Sequence, residues 1–170
     1  MANRKYPRVT LRALKYAAFQ SHETHCFEAT IYLDGKKAGT ADDDGNGGMV
    51  NIHPQSLRDQ LDAYGKTFPD DNSHGITISI DAEIIIRELV NDWLLARDVK
   101  RDLAKKVMYT VADDDGLYET KAIPGLAQHV AKGEAHMRNY MRNFKRPPVK
   151  ILNLLPLEEA VELYRKAAGE

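Results

Sequence analysis

Residues 81–106, DAEIIIRELVNDWLLARDVKRDLAKK, constrain the fold more than any other stretch. Apolar side chains recur at Ile86, Leu89, Trp93, Ala96, Val99, Leu103 and Val107, in steps of three and four that place them on one helical face. Asp81 suits the N-cap, because its carboxylate can accept a hydrogen bond from a first-turn amide that lacks a helical partner. Glu83 lies toward the positive end of the helix dipole, and Lys105 and Lys106 toward the negative end. At about 1.5 Å per residue the helix would measure roughly 37 Å, enough to cross a small domain. The expectation is a rod that buries Trp93 against a sheet.

A chain of 170 residues can bury one sizeable core and is short for two, so residues 1–170 are read as a single domain. With 43% hydrophobic and 29% charged residues it belongs with globular rather than disordered chains. Twenty-four basic residues against 25 acidic ones leave a net charge of −1. That balance argues against a whole-protein grip on nucleic acid, and equally against an acidic mimic of it. Cys26 is the sole cysteine, so no intrachain disulfide can form and a reducing compartment fits. The first twelve residues are basic and lack the apolar run of a secretory signal. No stretch approaches the ~20 apolar residues that span a bilayer. The expected location is cytoplasmic, away from the membrane.

Upstream of the rod, residues 9–17 alternate loosely as a first strand. Residues 26–33 alternate clearly, with Phe27, Ala29, Ile31 and Leu33 on one face and Glu28, Thr30 and Tyr32 on the other. Asp34-Gly35 then predicts a type I′ hairpin turn, and residues 36–41 return antiparallel. Residues 42–48, DDDGNGG, are expected to be irregular, given their glycines and mutually repelling carboxylates. Residues 49–52 form another short strand, and Pro54 starts a helix through Leu57, Leu61 and Tyr64 that ends near Gly65. Residues 68–75 are loop, and 76–80 are either a strand or the approach to the rod.

Downstream, residues 107–112 and 117–122 flank an expected turn at Asp113-Asp114-Asp115-Gly116. The string ADDDG thus occurs at both 41–45 and 112–116, as repeated turn chemistry rather than a repeat architecture. A helical region over 126–144 is weakened by Gly133 and stopped by Pro147-Pro148. Residues 149–152 are a last strand or extended chain. Residues 156–167 close the chain as a helix, with Leu157, Ala160, Val161 and Tyr164 as its buried stripe. The fold class is α+β: an antiparallel N-terminal sheet, a long central helix, a second hairpin and C-terminal helices.

Three stretches offer chemistry. Asp42, Asp44, Gly45, Asn46, Gly47 and Gly48 make an acidic, glycine-rich loop whose alternating oxygens match the opening of a calcium loop. The match fails at the closing position, where His53 stands in place of a bidentate Glu, so a hydrated turn is the plainer reading. His22, His25 and Cys26, with His53 as an outside candidate, form one cluster where zinc usually wants two paired spacings. No metal or cofactor is therefore assigned. The third stretch, HMRNYMRNFKRPPVK at 136–150, carries Arg138, Arg142, Lys145, Arg146 and Lys150 interleaved with Tyr140 and Phe144, and no acid. Such a segment can follow a phosphate backbone or meet a protein surface, while Met137, Tyr140, Met141 and Phe144 also have core spacing. Arg138, Tyr140, Arg142, Lys145 and Arg146 are the candidate partner-binding residues. No Walker loop, Rossmann fingerprint, nucleophile elbow or HExxH string occurs, so no catalytic residue is named and a non-enzyme is favoured.

The segments ETHCFEAT at 23–30, YLDGKK at 32–37 and DGNGG at 44–48 resemble a group of small bacteriophage and prophage proteins. The similarity resumes where residues 100–106 run into the strand at 107–110, and it covers about half the chain. Residues 129–150 depart from that pattern. The resemblance implies a phage or mobile-element accessory protein. The expected function is to inhibit or modulate a host protein complex by contact in the cytoplasm of an infected host, an anti-defence (for example CRISPR-system) inhibitor being one form. The alternative is a nucleic-acid-binding accessory protein using the basic segment. Oligomeric state is not legible from the residues.

Overall fold

In a computed structural model that describes residues 5–70 and 77–169, the sequence beginning at Asp81 winds into helix α2, Ala82–Leu103. Asp81 caps it as expected, with Oδ1 accepting the Ile84 amide at 2.8 Å. A second carboxylate assists: Asp62 Oδ1 accepts the Ala82 amide at 2.8 Å. The chain divides into two compact units, Met1–Trp93 and Leu94–Glu170. The architecture is α+β, with an antiparallel N-terminal sheet, the long central helix, a second small sheet and C-terminal helices.

The first unit holds an antiparallel sheet of order β1-β2-β3-β4, made from Val9–Tyr16, Phe27–Leu33, Lys36–Asp43 and Asn51–His53. Asp34 (φ 51) and Gly35 (φ 77) both adopt the left-handed turn that the Asp-Gly pair predicts. Along β2 the alternation holds, with Phe27, Ala29 and Ile31 buried. In β1 it breaks at a bulge between Arg12 and Lys15, where Ala13 takes φ 50. Helix α1, Gln55–Gly65, follows Pro54 and buries Leu57 and Leu61. The core adds Tyr6, Val50, Ile52, Ile80 and, from α2, Ala82, Ile85, Ile86, Leu89 and Val90.

The second unit holds a three-stranded sheet of order β6-β5-β7, from Asp114–Glu119, Met108–Val111 and Lys150–Ile151. Helix α3, Leu126–Ala131, and helix α4, Glu134–Tyr140, come next, and α5, Leu157–Ala168, ends the chain. Ala96 and Val99 of α2 cluster with Met108, Leu152, Ala160 and Val161. Leu157 and Tyr164 pack against that cluster, which completes the expected stripe on α5. A second cluster gathers Val107, Tyr109, Leu126, Met137, Met141 and Ile151. Asn153 closes α2: its Nδ2 donates to Leu103 O at 2.7 Å and Lys106 O at 2.8 Å, while Oδ1 accepts the Met108 amide at 3.0 Å. Carbonyls at a helix C-terminus have no partner within the helix, and one amide side chain supplies it here.

Several expectations need correction. Residues 42–48 are not all irregular: Asp42 and Asp43 complete β3, and Asp43 is buried. The strand expected at 49–52 lies at Asn51–His53. In the second hairpin the turn is Ala112-Asp113; Asp114, Asp115 and Gly116 belong to β6, which absorbs them as a bulge between the Thr110 and Val111 pairings. The helical region over 126–144 is two helices, separated where Gly133 takes φ 85. Trp93 is half-buried, and the buried stripe of α2 passes instead through Leu94. Residues 77–80 hold only an isolated bridge at Ile78, while 71–76 of the expected 68–75 loop and 76–80 strand lie outside the described residues.

Candidate functional site

The acidic, glycine-rich segment is half of a pair of interlocked loops. Gly45, at φ 86, turns its carbonyl toward residues 22–24, where the amides of His22, Glu23 and Thr24 donate to it at 3.0, 2.9 and 3.3 Å. A Cβ on Gly45 would stand 2.2 Å from Gln20 O, so glycine is required by both conformation and space. Asp43 Oδ1 accepts from Thr24 Oγ1 at 2.7 Å and from the Gly45 amide at 2.8 Å. Its Oδ2 lies 3.1 Å from Arg87 Nη2, which donates to Gly48 O at 2.8 Å. Arg87 Nε in turn donates to Glu83 at 2.9 Å. A buried carboxylate costs heavily unless paired and hydrogen-bonded, and Asp43 has both kinds of partner.

The candidate residues of this loop therefore do different things. Asp42 accepts from Asn51 Nδ2 at 3.0 Å, across β3 and β4. Asp44 is exposed and accepts the Asn46 amide at 3.0 Å, which holds its carboxyl below the usual carboxylate range. Gly45 is buried, whereas Asn46, Gly47 and Gly48 are exposed. The carboxylates of Asp42, Asp43 and Asp44 thus turn to three separate sets of partners, which is a poor cradle for one cation. Among the described residues, no group of three or more His, Cys, Asp or Glu is placed to hold a metal. Within the HETHC cluster, His25 packs edge-on against Tyr16 at 5.6 Å and Cys26 Sγ lies 3.5 Å from Gln20 Oε1. Thr24 and Arg87, the groups that satisfy Asp43, carry no signal in the linear sequence.

The basic segment is also divided. Arg138 donates through Nε to Glu134 at 2.8 Å, through Nη1 to Pro148 O at 3.1 Å and through Nη2 to Val149 O at 3.2 Å. It pins the chain before β7 to α4. Arg146 pairs with Asp114 at 3.2 Å, contacts the Tyr118 hydroxyl, and lies 5.3 Å over the Tyr118 ring. The Tyr118 hydroxyl, the Gly116 amide and Arg146 together hold the Asp114 carboxyl below its ordinary range. Both arginines hold internal contacts, while their side chains remain exposed.

The other cations of the segment are Arg142, Lys145 and Lys150. Arg142 is exposed, and among the described residues its side chain reaches only Asn139, at 3.5 Å. Lys145 and Lys150 are exposed and carry no ion pair among the described residues. Tyr140 is 42% exposed and Val149 47%, so the segment presents apolar as well as cationic surface. Met137 and Met141 face the core, and Phe144 packs 5.8 Å from Tyr109, as their spacing predicts. No described helix is long and apolar enough to cross a membrane. No family model matches this chain, and no curated protein or solved structure matches it either.

Proposed function

We propose that the protein is a phage or mobile-element accessory factor that binds a host protein complex and inhibits or modulates it, with an anti-defence role as the concrete form and the host cytoplasm as the place. The observation that carries this reading is the contrast within residues 138–150: Arg138 and Arg146 hold internal ion pairs, while Arg142, Lys145 and Lys150, beside exposed Tyr140 and Val149, carry none among the described residues. Arginine and aromatic residues are enriched where protein partners meet, and an uncompensated cationic face favours an acidic one. The resemblance of residues 23–30, 32–37 and 44–48 to phage proteins supports that biological setting. In affinity capture from host lysate, R142E/K145E loses a complex that the wild-type protein retains. A wild-type protein that captures nothing, or a double variant that captures equally, overturns the reading.

The same three cations favour nucleic acid as the second reading. Three cations neutralise at most three phosphates, so log affinity against log salt would fall with a slope no steeper than about −2.7. A DNA or RNA affinity with that slope, lost in R142E/K145E, selects this alternative.

A further inference from the structure

We infer that His129 and His136 form an open binding site for one imidazole-seeking divalent transition-metal ion, of which Zn²⁺ is the probe. Seven positions along one continuous helix would separate the two residues by about 10 Å. The reversal at Gly133, φ 85, instead folds α4 back on α3 and brings His129 Nδ1 within 3.1 Å of His136 Nε2. The rings meet end to end, with centroids 5.3 Å apart and planes 30° from parallel. Tyr140, one turn beyond His136 on α4, lies 5.0 Å from the His129 ring.

Two nitrogens facing at this distance cannot both carry hydrogen. Without metal, one ring donates N–H to the lone pair of the other. A metal ion needs both lone pairs. The shared proton then moves to the outer nitrogen of its own ring, Nε2 of His129 or Nδ1 of His136, and both rings stay neutral. With Zn–N bonds of about 2.0–2.1 Å, nitrogens 3.1 Å apart subtend roughly 100° at the ion, close to the tetrahedral angle. The ion sits off the N···N line, so each ring must turn until its lone pair points about 40° from that line. Both histidines are half-buried, which leaves water free to complete the shell. Glu134, the acid of the first turn of α4, is engaged by Arg138 at 2.7 Å. A site of two imidazoles selects Zn²⁺, Ni²⁺ or Cu²⁺ over Ca²⁺ or Mg²⁺, which want oxygen.

The test is a Zn²⁺ titration of the full-length protein, followed by NMR of the imidazole nitrogens. One equivalent of Zn²⁺ shifts His129 Nδ1 and His136 Nε2 and leaves the other histidines unmoved. H129Q and H136Q each weaken Zn²⁺ binding at least about tenfold, no less than the loss of a residue that only supports a ligand. The double variant H22Q/H25Q binds as the wild type, and Ca²⁺ shifts nothing. Unmoved His129 and His136 resonances at saturating Zn²⁺ overturn the site, as does binding lost in H22Q/H25Q but kept in H136Q. The wild-type spectra alone decide the matter should either glutamine variant fail to fold.

Discussion

The pentapeptide Ala-Asp-Asp-Asp-Gly occurs at 41–45 and at 112–116, and its middle aspartate makes the same local bonds twice. Asp43 Oδ1 accepts the Gly45 amide at 2.8 Å, and Asp114 Oδ1 accepts the Gly116 amide at 2.7 Å. Each turns Oδ2 to an arginine, Arg87 at 3.1 Å and Arg146 at 3.2 Å. Burial separates them: the Asp43 side chain is 0% exposed and that of Asp114 41%. One copy ends a strand under a second loop, and the other starts a strand at the surface. Identical local chemistry thus holds a core together in one place and tidies a hairpin in the other.

The largest effect expected from this difference is at the glycines. G45A forces an L side chain to φ 86 and drives a Cβ to 2.2 Å from Gln20 O, so it should cost at least about 3 kcal/mol in urea unfolding. G116A meets only the flexible Asp114 carboxylate at 2.9 Å and should cost less than about 1 kcal/mol. Next come the aspartates. D43A removes the carboxylate that faces Arg87 and leaves the buried Gly45 amide and the Thr24 hydroxyl without their acceptor, and should cost about 2–3 kcal/mol by the same measurement. D114A should lower the unfolding midpoint far less, because water replaces its partners. Equal losses at the two aspartates would break the comparison.

The smallest effect is a titration. The Asp114 carboxyl is held low first by the Tyr118 hydroxyl, so its stabilising contribution is complete above the ordinary carboxylate range and lost as pH falls through its depressed value. Y118F should move that titration upward when the carboxyl carbon is followed by NMR. Tyr6 gives the opposite sign, since burial pushes its hydroxyl up to about 12. Its contribution holds below about pH 10 and fades as pH climbs toward 12.

What the sequence made legible was local. The Asp34-Gly35 turn, the Asp81 cap, the helix after Pro54 and the α5 stripe each follow from neighbours a few residues apart. Partners far along the chain were not legible. Asn153 closes α2 from 50 residues beyond Leu103, and Arg87 meets Gly48 across 39. Both ADDDG strings read as turns because nothing in five residues announces whether a second loop will cover them. Periodicity places Trp93 in the core, but it stands where the chain passes from one unit to the next, and Leu94 takes the buried position. In the candidate site, the basic run was visible and its division between used and free arginines was not. Arg138 spends its charge on carbonyls ten and eleven residues away.

That division is the centre of the functional account, and the melting temperatures of R138A and R142A, taken side by side, test it most directly. R138A should lose about 1 kcal/mol, because the carbonyls of Pro148 and Val149 lose their donor, while R142A should melt as the wild type does. A destabilised R142A beside an unaffected R138A would show that the free and the structural arginine have been assigned the wrong way round.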